Sequence, residues 1–188
     1  AFLYRMPDPD DMHLEDLFHA LRFAFLILTQ QKELYVLHSA SFLYRGRAFL
    51  VSGSSGTGKS THSALWHDLY QTPLLNGDLN LLGIRNSIPY AYGLPWCGTS
   101  GICTPKDYPL GGIIFLKQAA IDQVQSLQPD EKVLHILQRM ISPAWTKELL
   151  LRNLHFSEAL APLIFSCRLY CTKEPSAART LKAVIDAL

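Results

Sequence analysis

Lys59 and Ser60 close the run Gly53–Ser54–Ser55–Gly56–Thr57–Gly58, with Thr61 next in line. This is the G-x-x-x-x-G-K-[ST] spacing of a phosphate-binding loop, or P-loop. Glycines at 53, 56 and 58 allow backbone angles that side chains forbid, so successive N–H groups can converge on one anion. A lysine at 59 neutralises β- and γ-phosphates, and a hydroxyl at 60 is an oxygen donor for Mg²⁺. A helix begun at Ser60 would bring the positive end of its dipole to the same point. A second chemical group comes later, where Asp78 stands between the apolar runs Leu74–Leu75 and Leu79–Leu82. A nucleotide site of this kind needs one acidic residue to complete the Mg²⁺ shell, and Asp78 is the candidate. Asn76–Gly77–Asp78 is also good turn chemistry, and both readings can hold together.

These residues need a strand before the loop and a helix after it. Ala48–Phe49–Leu50–Val51 supplies the strand, and Ala64, Leu65, Trp66 and Leu69 supply the helix, which ends near Tyr70. A flexible Gly/Ser surface turn would have neither. Upstream, Leu14, Leu17, Phe18, Leu21, Phe25 and Leu28 mark one face of an amphipathic helix, capped by Asp10 or Asp11, with His13 and His19 on its solvent side. The runs 34–44 and 47–52 around Arg45–Gly46 predict a hairpin that delivers its second strand into the loop. His38 lies in the first run and by itself reads as a hydrogen-bonded strand residue. Further strands are expected at 88–93, 111–116, 122–127 and 163–171, with a turn at Arg85–Asn86–Ser87. Pro129–Asp130 opens a helix carrying Val133, Ile136, Leu137 and Met140; Ser142–Pro143 starts another. Pro175 opens the closing helix, with Ala177, Leu181, Val184 and Leu188 inward. Tyr92 to Gly101 is rich in glycine and aromatics, the composition of a loop that lies against a ligand. Tyr92, Trp96 and Thr99 are therefore expected to line the pocket beyond the phosphates, with His38 opposite. Closely spaced short strands predict a mixed α/β sheet rather than regular strand–helix alternation.

The 188 residues carry a net charge of +1, are 48% hydrophobic and 18% charged, and contain no internal repeat or low-complexity tract. One domain with a substantial core fits that length. Scattered charge offers nothing to nucleic acid or an anionic membrane surface. The longest apolar run, Phe23 to Leu28, is too short to span a bilayer, and no secretory signal is visible, which predicts a cytoplasmic protein. Cys97, Cys103, Cys167 and Cys171 fit no zinc or redox spacing and read as free thiols, Cys97 as a pocket-lining one.

His38 ahead of the Gly53–Ser60 loop, then Leu74–Leu75–Asn76–Gly77–Asp78–Leu79, then Tyr92–Gly93–Leu94–Pro95–Trp96, resembles the HPr kinase/phosphorylase catalytic domain. The likeness is greatest to short stand-alone kinase-like members, some of which accompany ribosomally made, modified peptides. ATP-dependent phosphoenolpyruvate carboxykinase shares that fold and a similar loop. The resemblance covers residues 34–117 and, more weakly, the closing strand and helix; it has no counterpart of the regulatory domain of true HPr kinases. It implies a single P-loop domain of the HPr kinase/phosphoenolpyruvate carboxykinase type over 1–188, a mixed sheet flanked by helices. Within it fall an N-terminal helix at 12–30, a nucleotide-binding core at 34–127 and a helical and strand cap at 129–188. It implies ATP and Mg²⁺ as cofactors. Residues 53–61 would cradle the phosphates, Lys59 contact them, and Ser60 and Asp78 ligate the metal; His38 would lie near the active site. HPr kinases carry two adjacent aspartates here, a base and then a metal ligand. In a gapless match Gly77 replaces the base and Asp78 keeps the metal, whereas a one-residue shift would break the apolar register of 79–82.

Three readings follow. The first is a kinase passing the γ-phosphoryl of ATP to a hydroxyl of a peptide, protein or small molecule, with Lys59, Asp78 and His38 catalytic. The second is a catalytically impaired nucleotide-binding module that acts through a partner, favoured by Gly77. The third, a carboxykinase, is set aside because those enzymes are far longer and no basic cluster for a dicarboxylate is visible. The acceptor and the oligomeric state, a homo-oligomer included, stay open.

Overall fold

The structure, a computed structural model, describes residues 14–96 and 100–188, without the side chains of the first two. The caps expected at Asp10 or Asp11, together with His13, Cys97 and Thr99, lie outside the described residues. The elements run α1 (Leu14–Gln31), β1 (Tyr35–Tyr44), β2 (Arg47–Ser52), α2 (Lys59–Tyr70), β3 (Leu74–Asn76) and β4 (Leu79–Arg85). After them come β5 (Ile88–Tyr92), β6 (Tyr108–Gln118), β7 (Gln123–Ser126), α3 (Pro129–Arg139), α4 (Lys147–Leu160), β8 (Phe165–Cys171) and α5 (Pro175–Asp186).

Two tight turns set the early register. Arg45 and Gly46, at φ 49° and 73°, join the paired residues Tyr44 and Arg47. Asn86 and Ser87, at 52° and 64°, do the same between Arg85 and Ile88. Two successive positive-φ residues make the mirror-image turn whose twist matches that of the flanking strands. The eight strands form one mixed, mostly antiparallel sheet. β2, β6 and β8 lie side by side in parallel, and the remaining pairings are antiparallel. β1 changes partners midway: Tyr35 to His38 pair with β4, while Ser39 to Tyr44 pair with β2.

The parallel strands are buried on both faces, as strands covered by helices must be. Leu50, Ile113 and Phe115 pack with Ile136 of α3 and Phe156 and Leu160 of α4. Alternate residues Phe49, Val51, Ile114 and Leu116 pack on the other face with Trp66 of α2 and Leu181 and Ile185 of α5. Trp66 is fully buried and stacked on Phe42, ring centroids 4.4 Å apart. The carboxyl ends of β2, β6 and β8 thus open on one edge, where parallel α/β sheets place their ligands.

Three expectations are corrected. The face of α1 drawn through Leu17, Phe18, Leu21 and Leu28 is exposed, and the helix is anchored instead by Leu26, Thr29 and Gln30. Only its last turns meet the sheet, where Gln30 Nε2 donates to Pro143 O and Asn153 Oδ1 at 2.9 and 2.7 Å. Ser142–Pro143 does not start a helix, because the Ser142 hydroxyl accepts from Val36 N at 2.9 Å; Thr146 caps α4 by accepting from Leu149 N. At the closing helix Leu188 is exposed and Val184 half-buried, while Ala178 and Ile185 join Ala177 and Leu181 in the core. No described helix is long and apolar enough to cross a membrane.

Candidate functional site

The loop between β2 and α2 is wound back on itself. Gly56 and Gly58 stand at φ 75° and 97°, angles that a side chain disfavours. A Cβ on Gly53 would sit 2.5 Å from Thr57 Oγ1, so the loop's first residue must also be small. Thr57 donates its hydroxyl to Ser54 O at 2.8 Å, and Gln118 Nε2 pins Gly56 O at 2.9 Å from the end of β6. Gly58 caps α2 without a side chain, so the first N–H groups of the helix keep no side-chain acceptor from the cap. Lys59 folds over the loop and donates to Gly53 O and Ser54 O, each at 3.2 Å. Burial, and next the charge of Arg139, lower its pKa, while Asp78 pulls the other way. Ser60 and Thr61 are exposed at the start of α2.

Asp78 faces His38, with Oδ1 3.3 Å from Nδ1. The contact is set by backbone: Ser39 N donates to Asp78 O at 3.0 Å, and Ser52 Oγ donates to His38 O at 2.7 Å. Asn76 shapes the turn by accepting from Asp78 N and Leu79 N at 2.9 and 3.0 Å. Below, buried Asn80 donates to Ser39 O at 2.7 Å and accepts from Ser41 Oγ at 2.7 Å. The His38 hydrogen bond, with help from Arg22 and Lys59, outweighs burial and holds the Asp78 carboxyl below its ordinary range. His38, Asp78 and Lys59 are therefore brought together. Sequence reading missed the positioning residues Asn76 and Asn80, although an asparagine two residues before an aspartate in a turn was a visible signal.

Tyr92 and Trp96, expected as a pocket wall, pack among the side chains between α1 and the sheet. The Trp96 ring packs on Phe25 and Phe18 of α1, at 4.3 and 6.5 Å, and Tyr92 belongs to the same cluster. The Trp96 backbone meets the turn that carries Asp78, accepting from Asn76 Nδ2 at 2.8 Å. The space beside the loop is instead a cleft of about 550 Å³ floored by Phe115 and Leu116 and lined by Lys117, Gln118, His135, Arg139 and Arg168. A basic cluster is thus present after all, assembled from β6, α3 and β8, which sequence separation concealed. A smaller hollow of about 130 Å³ lies across the loop, between Thr61, His62 and Leu65 of α2 and Thr172 and Lys173. His62 Nε2 accepts from Trp66 Nε1 at 3.3 Å, and burial pushes its pKa down to about 4, so the ring is neutral. Asp122 ties this hollow together by accepting from Thr172 N at 2.6 Å and Ser176 Oγ at 2.5 Å. Buried Cys167 is inert, its thiol pushed up to about 12.

Among the described residues no group of three His, Cys, Asp or Glu side chains could hold a metal by itself. Ser60 and Asp78 offer one hydroxyl and one carboxylate, a donor set that suits an ion arriving with phosphates. No protein-family model and no curated protein matches the sequence. Among solved structures the chain is similar to the HPr(Ser) kinase/phosphatase from Coxiella burnetii, at 13% identity over 66% of this chain and 90% of that one, with a TM-score of 0.35.

Proposed function

We propose that this chain is one P-loop unit of the HPr kinase type that binds Mg–ATP at residues 53–61 and passes the γ-phosphoryl group to a hydroxyl acceptor in the cytoplasm. The observation that carries this reading is Lys59 folded over the mouth of a left-handed glycine loop, in the field of the Asp78–His38 pair. Loop N–H groups and the start of α2 take the phosphates, and Lys59 neutralises their charge. Magnesium, held by Ser60 and Asp78, would draw charge from the phosphate oxygens. Asp78 turns Oδ1 to His38, which leaves Oδ2 for the cation. His38, oriented by that carboxylate, accepts the proton of the acceptor hydroxyl. Gly77 favours the second reading, a nucleotide-binding module without efficient chemistry that works through a partner. Calorimetry with Mg–ATP, followed by phosphotransfer assays on wild type and His38→Gln, separates the two. Tight binding with turnover lost in His38→Gln supports the kinase, tight binding without turnover supports the module, and no magnesium-dependent binding defeats both.

A further inference from the structure

The cleft beside the loop gathers three cations. Lys117, Arg139 and Arg168 line it, and among the described residues no carboxylate does. Arg139 gives Nη2 to Ser54 Oγ at 3.3 Å, yet its Nε is buried with no acceptor among the described residues. A guanidinium N–H buried in that way costs free energy until an oxyanion meets it. Arg168 directs Nη2 at His135 Nε2, 2.6 Å away, and thereby requires the imidazole to accept. Arg168 Nη2 also lies 3.9 Å from Glu131 Oε1, whose other oxygen accepts from Gln128 N at 2.9 Å, and Arg168 Nη1 donates to Gln125 Oε1 at 3.3 Å. The repulsion adds to burial on the neighbours: burial and then Arg168 lower the pKa of His135, and burial and then Arg139 lower that of Lys59.

The cleft also points the right way. A backbone bridge between Leu37 and Met140 fixes the end of α3 beside the strand that carries His38. Arg139, one residue earlier, reaches the loop at Ser54, and Arg168 lines the same cleft from β8. A volume of about 550 Å³ is in the range of a ligand pocket and exceeds what one phosphate group fills.

We infer that this cleft seats the acceptor, and that the acceptor carries an oxyanion of its own, a phosphate or carboxylate, held by Arg168 and Lys117 while its hydroxyl lies at the His38 end. The inference rests on the nucleotide reading of the loop for its chemistry. The acceptor oxygen bonds to the γ-phosphorus as the bond from that phosphorus to the bridging oxygen breaks. The electron pair leaves with ADP, and the hydroxyl proton passes to His38. Arg139, bonded to Ser54 of the loop, would add positive charge beside the transferred group.

The test is calorimetry of the full chain saturated with Mg²⁺ and a non-hydrolysable ATP analogue, titrated with O-phosphoserine and separately with L-malate at fixed ionic strength. Wild type should bind at least one of them, phosphoserine alone marking a phosphate acceptor and malate alone a carboxylate. Arg168→Gln should weaken that binding at least about tenfold, since a charge-assisted contact is lost, while the affinity for the analogue, set at Lys59, moves less than about twofold. Lys117→Gln, at an exposed strand end where folding is not at stake, should weaken it by a smaller factor. Failure of wild type to bind either probe, or wild-type binding in both variants, overturns the inference. If the analogue itself does not bind, the nucleotide reading has failed separately. Inorganic phosphate titrated into Lys59→Ala then decides the cleft alone: binding that Arg168→Gln abolishes upholds it, and no binding overturns it.

Discussion

Lys59 is the side chain on which nucleotide affinity should turn. Lys59→Ala removes a charge-assisted contact worth about 1.5–3 kcal/mol, so Mg–ATP affinity measured by calorimetry should fall roughly ten- to a hundredfold. Gly77→Asp is the complementary change. It should leave that affinity nearly unmoved and raise phosphotransfer, because a positioned base contributes on the order of 10²–10⁴-fold. Rapid wild-type turnover that is lost in Asp78→Asn, with metal and ATP still bound, would make Asp78 the base instead. Lys59, His38 and Asp78 could be read as neighbours because a loop motif and the pairing of β1 with β2 and β4 join them over a short stretch of chain. Arg139 and Arg168 could not, since each is an isolated cation in its own helix or strand. Only the parallel pairing of β6 with β8 and the seating of α3 put them in one cleft.

The strands and helices were mostly readable from periodicity and turn chemistry, and the failures have one physical cause. Apolar spacing says that a helix has a sticky face but not how much of it meets a neighbour. In α1 a polar residue does the anchoring: Gln30, with no exposed surface, holds the carbonyls of Pro143 and Leu149 and the side chain of Asn153. Gln30→Leu should cost about 1–3 kcal/mol in urea unfolding, because those acceptors lose their donor in a buried place. Ser142 looked like a cap because serine before proline usually is one, yet β1 claimed its hydroxyl first. Thr146→Ala should therefore destabilise by about 1 kcal/mol as the true cap of α4, and Ser142→Ala should leave the helix start unchanged.

Taken whole, the fold should weaken in mild acid. His62 is neutral when folded, with a pKa pushed from 6.5 to about 4, whereas the unfolded chain protonates near 6.5. The unfolded state therefore binds the extra proton as pH falls through that window, and stability present above it is lost, by ~3 kcal/mol at most. His62→Gln, which can still accept from Trp66, should flatten the dependence of the urea midpoint between pH 7.5 and 5. Asp78, with its lowered pKa, adds stability at neutral pH that disappears at still lower pH, below the ordinary carboxylate range. The parallel trio has a consequence in time. β2 meets β1 at once through a two-residue turn, but its other edge waits for β6, and β6 in turn waits for β8. A chain emerging from the ribosome thus carries an open, apolar strand edge until β8 has been made. Contacts of such long sequence separation slow folding relative to a helical bundle. The cleft, which needs Arg168, cannot form before β8 has been made.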